Sequence, residues 1–201
     1  MTQPGRRRGR ESFTERRARR AEVDDPAIVL EAALRFLEAR QRSVAEVRRR
    51  LTTAGYREDL ITAAIERLRE LGMLDDQAFA SLWVESRDRA RPRGERALRQ
   101  ELRQKGIESG VIAATLEERN AGTDDHAGED DDARPSADEV AAGRLLARHA
   151  HALDRIADAR ARRQRAYALL ARNGFGPEVA GRLASRVAMA TDDDVEPGPP
   201  D

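Results

Sequence analysis

Few residues in this chain have both the type and the spacing for chemistry, and each has a plainer use. The three histidines are His126 in an acidic stretch and His149 and His151 two positions apart. On a helix an i, i+2 pair points to different sides, so these two would not share a metal ion. Asp75-Asp76 could act as a carboxylate pair. An aspartate followed by a second acid also suits the first turn of a helix, where the amide dipoles favour negative charge. No phosphate-binding loop or dinucleotide glycine pattern occurs. No constellation of nucleophile, base and oxyanion donor appears either. The expectation is a protein that is not an enzyme and uses no cofactor or metal. Trp83 is expected in helix packing rather than as a platform for stacked bases.

The remaining signal is basic. Arginines cluster at Arg48-Arg49-Arg50, again at Arg91, Arg93, Arg96, Arg99 and Arg103 with the single lysine Lys105, and a third time from Arg160 to Arg165. Any one cluster could be a solvated helix face with acid partners, as Glu95 and Arg99 are spaced to be. Recurrence at corresponding places in a repeat would line the faces into a stripe suited to a long acidic or nucleoprotein partner. The side chains expected to meet it are Arg48, Arg49, Arg91, Arg93, Arg96, Arg99, Arg103, Lys105, Arg162, Arg163 and Arg165.

The elements that carry these clusters follow from a repeated ending. Leu51…Gly55-Tyr56, Leu102…Gly106-Ile107 and Leu170…Gly174-Phe175 each place a leucine four before a glycine and a bulky apolar residue after it. Glycine accepts the left-handed conformation that closes a helix, and the apolar residue folds back onto the last turn. Leu60, Val111 and Val179 then stand in further helices, so the chain reads as a repeat protein. Starts are marked as well, by Asp25-Pro26 and by the capping boxes Ser43-Val44-Ala45-Glu46 and Ser136-Ala137-Asp138-Glu139. Asp75 and Ser109 are expected to cap two more helices. Apolar stripes at helical spacing include Leu30, Ala33, Leu34 and Leu37, then Phe79, Leu82 and Trp83, and later Ala166, Tyr167 and Leu170.

The chain of 201 residues has 37% charged and only 3% aromatic residues, so its cores must be built from aliphatic side chains on well-solvated helices. It has no cysteine, which excludes disulfides and thiolate metal sites. No apolar run reaches the length of a membrane span, and the Arg-rich start lacks the apolar segment of a secretory signal. The cytoplasm is the expected compartment. The predicted fold is all-α, with tandem three-helix, helix-turn-helix-like repeats forming an elongated curved array. Its expected parts are a disordered Arg-rich arm (1–23), repeats at 24–74 and 75–119, an acidic flexible linker (120–135), a third repeat (136–190) and a disordered acidic tail (191–201).

Three stretches carry a family resemblance. They are Arg40-Gln41-Arg42-Ser43-Val44-Ala45-Glu46-Val47, then Leu71-Gly72-Met73-Leu74-Asp75-Asp76-Gln77-Ala78-Phe79-Ala80, and Trp83-Val84-Glu85-Ser86-Arg87 continuing through Arg91 to Ile107. In order and spacing they resemble the RecX family of recombinase regulators over about 26–119, and more weakly over 136–190. Two departures stand out: the acidic insertion, and Glu95 where the family often has proline after the glycine. The resemblance implies a monomeric protein that lodges in the groove of a RecA–single-stranded-DNA filament. There it would inhibit ATP hydrolysis and strand exchange, and so act in homologous recombination, DNA repair and the SOS response. The alternative is a protein that binds single- or double-stranded DNA directly through its helix-turn-helix-like units.

Overall fold

The computed structural model describes residues 12–122 and 135–189. Among them are ten helices: α1 (Phe13–Ala21), α2 (Pro26–Leu37), α3 (Val44–Ala54), α4 (Glu58–Glu70), α5 (Asp76–Ala90), α6 (Glu95–Gln104), α7 (Ser109–Ala121), α8 (Ala137–Asp154), α9 (Ala159–Arg172) and α10 (Pro177–Met189). No strand occurs among the described residues. The chain divides into two compact units, residues 1–79 and 80–201, and the division falls inside α5. The first eleven residues of the Arg-rich arm, most of the acidic 120–135 stretch and the 191–201 tail lie outside the described residues.

The repeated ending is made by one hydrogen bond used three times. The amide after each glycine donates back to the leucine carbonyl: Tyr56 to Leu51 at 3.3 Å, Ile107 to Leu102 at 3.1 Å and Phe175 to Leu170 at 3.3 Å. Gly55, Gly106 and Gly174 all have positive φ, as this closure requires.

In the first unit, α2, α3 and α4 enclose Val29, Ala33, Val47, Leu51, Ile61, Ile65 and Leu68. The α2 stripe is rotated from the expected one: Val29 and Ala33 are fully buried, while Leu30, Leu34 and Leu37 pack at the margin. Asp75 and Asp76 act as helix caps. Asp75 Oδ1 accepts from the Gln77 amide at 2.8 Å, and Asp76 Oδ1 accepts from the Val44 amide at 2.9 Å at the head of α3.

Helix α1 forms where a disordered arm is expected from the sequence. Ser12 and Glu15 make a reciprocal capping box, a Ser-x-x-Glu spacing present in the sequence but easily lost beside so many arginines. Arg20 fastens the helix by donating to the Ala54 carbonyl at 3.5 Å and lying over the Tyr56 ring.

In the second unit, α8, α9 and α10 enclose Leu145, Leu146, Leu153, Ala166, Leu170, Phe175, Leu183 and Ala184. Leu98, Leu102, Ile107, Ile112 and Leu116 are buried in α6, α7 and the turn between them. Three expectations fail here. Leu82 and Tyr167 are exposed, because each is rotated off the inward face of its helix, which Phe79, Ala80 and Val84 mark on α5 and Ala166 and Leu170, as expected, mark on α9. Ser109 is the first residue of α7 and does not cap it; Glu108 stands at the cap without a side-chain hydrogen bond.

Two networks join α5–α7 to α8–α10. Arg119, whose side chain is only 6% exposed, reaches both Asp88 oxygens at 2.9 Å and Asp138 Oδ1 at 2.7 Å. Burial opposes its charge, but the hydrogen bonds and charges of Asp88 and Asp138 outweigh burial and hold the guanidinium above its ordinary pKa. Asp138 also accepts from the Glu95 amide at 3.0 Å. A proline at position 95 has no N–H to give, so the departure from the family pattern has a structural use.

The second network is backbone on backbone. The Gly94 amide donates to the Asn173 carbonyl at 3.0 Å. A Cβ on Gly94 would collide with Gly174, and one on Gly174 would collide with Ala97.

Candidate interaction surface

Helix α6 begins at Gly94, is closed by the Gly106 turn, and buries Leu98 and Leu102. With those two facing inward, positions 96, 99 and 103 fall on the outer side. Arg96 and Arg103 are exposed and pair with no described residue, as is true of Arg91 just before the helix. Arg99 is partly exposed and bonded to Glu95 at 2.5 Å, the spacing seen in the sequence. An exposed pair of this kind is worth a few tenths of a kcal/mol, roughly 0.3–0.5, so Arg99 is readily available to another anion.

Behind this face lies a cluster that holds α6 to α5. Trp83 Nε1 donates to Glu101 Oε2 at 2.9 Å, and Arg87 Nε donates to the same oxygen at 2.6 Å. The Arg87 guanidinium lies 4.3 Å from the Trp83 ring centre and Lys105 Nζ lies 4.8 Å from it. Cations over its faces and an acid on its indole nitrogen make Trp83 a packing residue, as expected. Lys105 is therefore engaged with the ring. Arg93 is engaged as well: it donates to Asn173 Oδ1 at 2.6 Å and stands 3.6 Å from Glu101. Arg93 therefore joins the repeats and adds little to the open face.

The other two clusters divide in the same way. On α3, Arg48 is paired with Glu58 and donates to Thr62 Oγ1 at 3.3 Å, whereas Arg49 is exposed. On α9, Arg163 and Arg165 are exposed, but Arg162 is only 2% exposed. Its guanidinium donates to the Ile156 carbonyl at 3.0 Å and to the Ala188 carbonyl at 2.9 Å, near the end of α10. Its place among the partner-contacting residues is thus corrected: its facing position on α9 turns it toward carbonyls that lack helical partners. Within the second unit, the open basic residues of the set are Arg91, Arg96, Arg99, Arg103, Arg163 and Arg165. Arg49 is the open one in the first.

Sequence reasoning missed Glu101, Arg87 and Arg119. The i, i+4 spacing of Trp83 and Arg87 was a signal for part of the cluster. Arg119 gave none, since its partners are remote in sequence. His149 and His151 are exposed on α8, and His126 lies outside the described residues. Among the described residues no group of three or more His, Cys, Asp or Glu side chains could hold a metal ion. No helix among them is long and apolar enough to cross a membrane.

Comparison with known proteins gives a consistent picture. A family profile described as RecX, first three-helix domain, matches residues 30–68, and one described as RecX, second three-helix domain, matches 75–116. The Regulatory protein RecX of Mycobacterium sp. (strain JLS) is 43% identical over 91 residues, which are 45% of this chain and 50% of that protein. In such alignments the chain spans about half the length of the relative. The Regulatory protein RecX of Mycobacterium avium (strain 104) is 37% identical over 147 residues, 73% of this chain and 77% of the other. The crystal structure of RecX from Lactobacillus salivarius superposes with a TM-score of 0.63 at 19% identity, covering 83% of this chain and 98% of that one. At that identity the superposition speaks for the fold alone.

Proposed function

The chain belongs to the RecX family, and we propose that it is a cytoplasmic regulator of the RecA recombinase. In this reading it binds in the groove of the RecA–single-stranded-DNA filament and lowers ATP hydrolysis and recombinase activity, which modulates recombination and repair. The observation that carries the reading is the outer face of α6. Arg91, Arg96 and Arg103 stand in solvent without partners among the described residues, and Arg99 is held by a single exposed acid. The Trp83–Glu101 cluster fixes the helix beneath them. A basic face on a rigid element suits an extended acidic partner, because few side chains must be ordered when it binds.

The test is RecA ATPase on single-stranded DNA, titrated with the wild-type chain and with an Arg91→Glu/Arg96→Glu/Arg103→Glu variant. Inhibition by the wild type and at least about tenfold weaker inhibition by the variant are expected, since three charge reversals on one face forfeit several kcal/mol of attraction. No inhibition by the wild type would refute the RecA reading. Equal inhibition by both would refute the assigned face.

A further inference from the structure

We propose that a cleft in the first unit, walled by α1, α2 and α3, binds a phosphate group of a nucleic-acid strand. The cleft has a volume of about 270 Å³. Its floor is Leu51 and Ala54, and three arginines from three different helices stand around it: Arg20, Arg35 and Arg50. Two rings, Phe36 and Tyr56, complete the wall.

Two of the three guanidinium groups lie near the rings. Arg20 lies 5.6 Å from the Tyr56 ring centre, and Arg50 lies 5.6 Å from that of Phe36. Arg42 lies over the same Phe36 ring at 4.2 Å. A cation near a ring keeps N–H groups for an acceptor, although Arg20 already gives one of its own to the Ala54 carbonyl at 3.5 Å. Arg50 has no hydrogen bond or ion pair with any described residue. Arg35 has only Glu31, a pair in which both side chains are largely exposed.

Charge around the cleft is poorly balanced. No carboxylate lines it.

The lining offers three cations and ring surface, and no carboxylate that would repel an anion. That chemistry suits a phosphodiester, which is the same at every step of a strand. Arg20 lies outside both stretches matched to the family, which begin at residues 30 and 75. The cleft is thus completed by a helix those profiles do not include. It is also separate from α6, so the two readings can fail independently.

The test is fluorescence anisotropy of a labelled oligothymidylate with the full chain and no RecA, over a series of salt concentrations. An Arg35→Glu/Arg50→Glu variant is expected to bind about tenfold more weakly, with a salt slope shallower by about one phosphate's worth of released counterion. Unchanged affinity and slope would overturn the proposal. Should the double reversal lower the helical circular dichroism, Arg35→Gln/Arg50→Gln takes its place, with a loss of about threefold expected. Excess ATP or inorganic phosphate should leave the oligonucleotide bound. Displacement by ATP at micromolar concentration, abolished by the variant, would assign the cleft to a free nucleotide and overturn the strand assignment.

Discussion

Helices α6 and α9 are the middle helices of the α5–α7 and α8–α10 groups, and both carry arginine runs. In α6, Arg96 and Arg103 stand in solvent, and the residues between them that face inward are leucines. In α9, Arg163 and Arg165 stand in solvent, but the inward place beside them belongs to Arg162, which binds two carbonyls. Successive helical positions differ by a large rotation, so a run of arginines must straddle faces. What the inward one becomes depends on what it meets. Beneath α6 the inner positions meet aliphatic packing, whereas Arg162 of α9 meets the unsatisfied end of α10. A basic cluster read from sequence is thus a mixture of surface and scaffold.

That division can be broken by substitution. The largest effect is expected from the buried charge that has two carboxylate partners. Arg119→Met should cost about 3–5 kcal/mol, because Asp88 and Asp138 would keep their charges without a partner. Urea denaturation followed by circular dichroism measures it, and a cost under about 1 kcal/mol would remove Arg119 from the scaffold class. Arg162→Met should cost less, about 2–3 kcal/mol, since two carbonyls lose their donor but no charge is stranded. In the same assay Arg96→Glu/Arg103→Glu and Arg163→Glu/Arg165→Glu should each stay within about 0.5 kcal/mol of wild type. A large loss from either would show that the open arginines are structural after all.

The smallest expected effect concerns α1. Its Glu15 carboxyl lies below the ordinary value of 4.5, chiefly because it accepts the Ser12 backbone amide. A depressed carboxyl stabilises the folded state above its unfolded pKa and loses that contribution as pH falls through the folded value. The helical signal of α1 should therefore fade only below the usual carboxylate range, and Glu15→Gln should flatten that part of the acid titration.

Local features of the fold were legible in the sequence. The three leucine–glycine–apolar endings and the capping boxes at Ser43 and Ser136 involve groups a few residues apart, so their residue types suffice to announce them. Which face of a helix turns inward was less legible. Leu82 and Tyr167 look like core by type, yet Leu82 gives its inner place to Val84 and Tyr167 stands outside the face of Ala166 and Leu170, and only the neighbouring helices decide that. The candidate surface was legible in part. Arg91, Arg96 and Arg103 are where a solvated basic face would put them, while Arg93 and Arg162 are held by Asn173, Ile156 and Ala188 through contacts no spacing rule encodes.

The close meeting of Gly94 and Gly174 has a kinetic corollary. With no side chain between the two turns, the start of α6 and the end of α9 meet backbone to backbone, so these two segments should open together. In amide exchange, slow protons in α6 and in α9 should be released with a shared free energy, and a bulky residue at either glycine would split that single melting event in two.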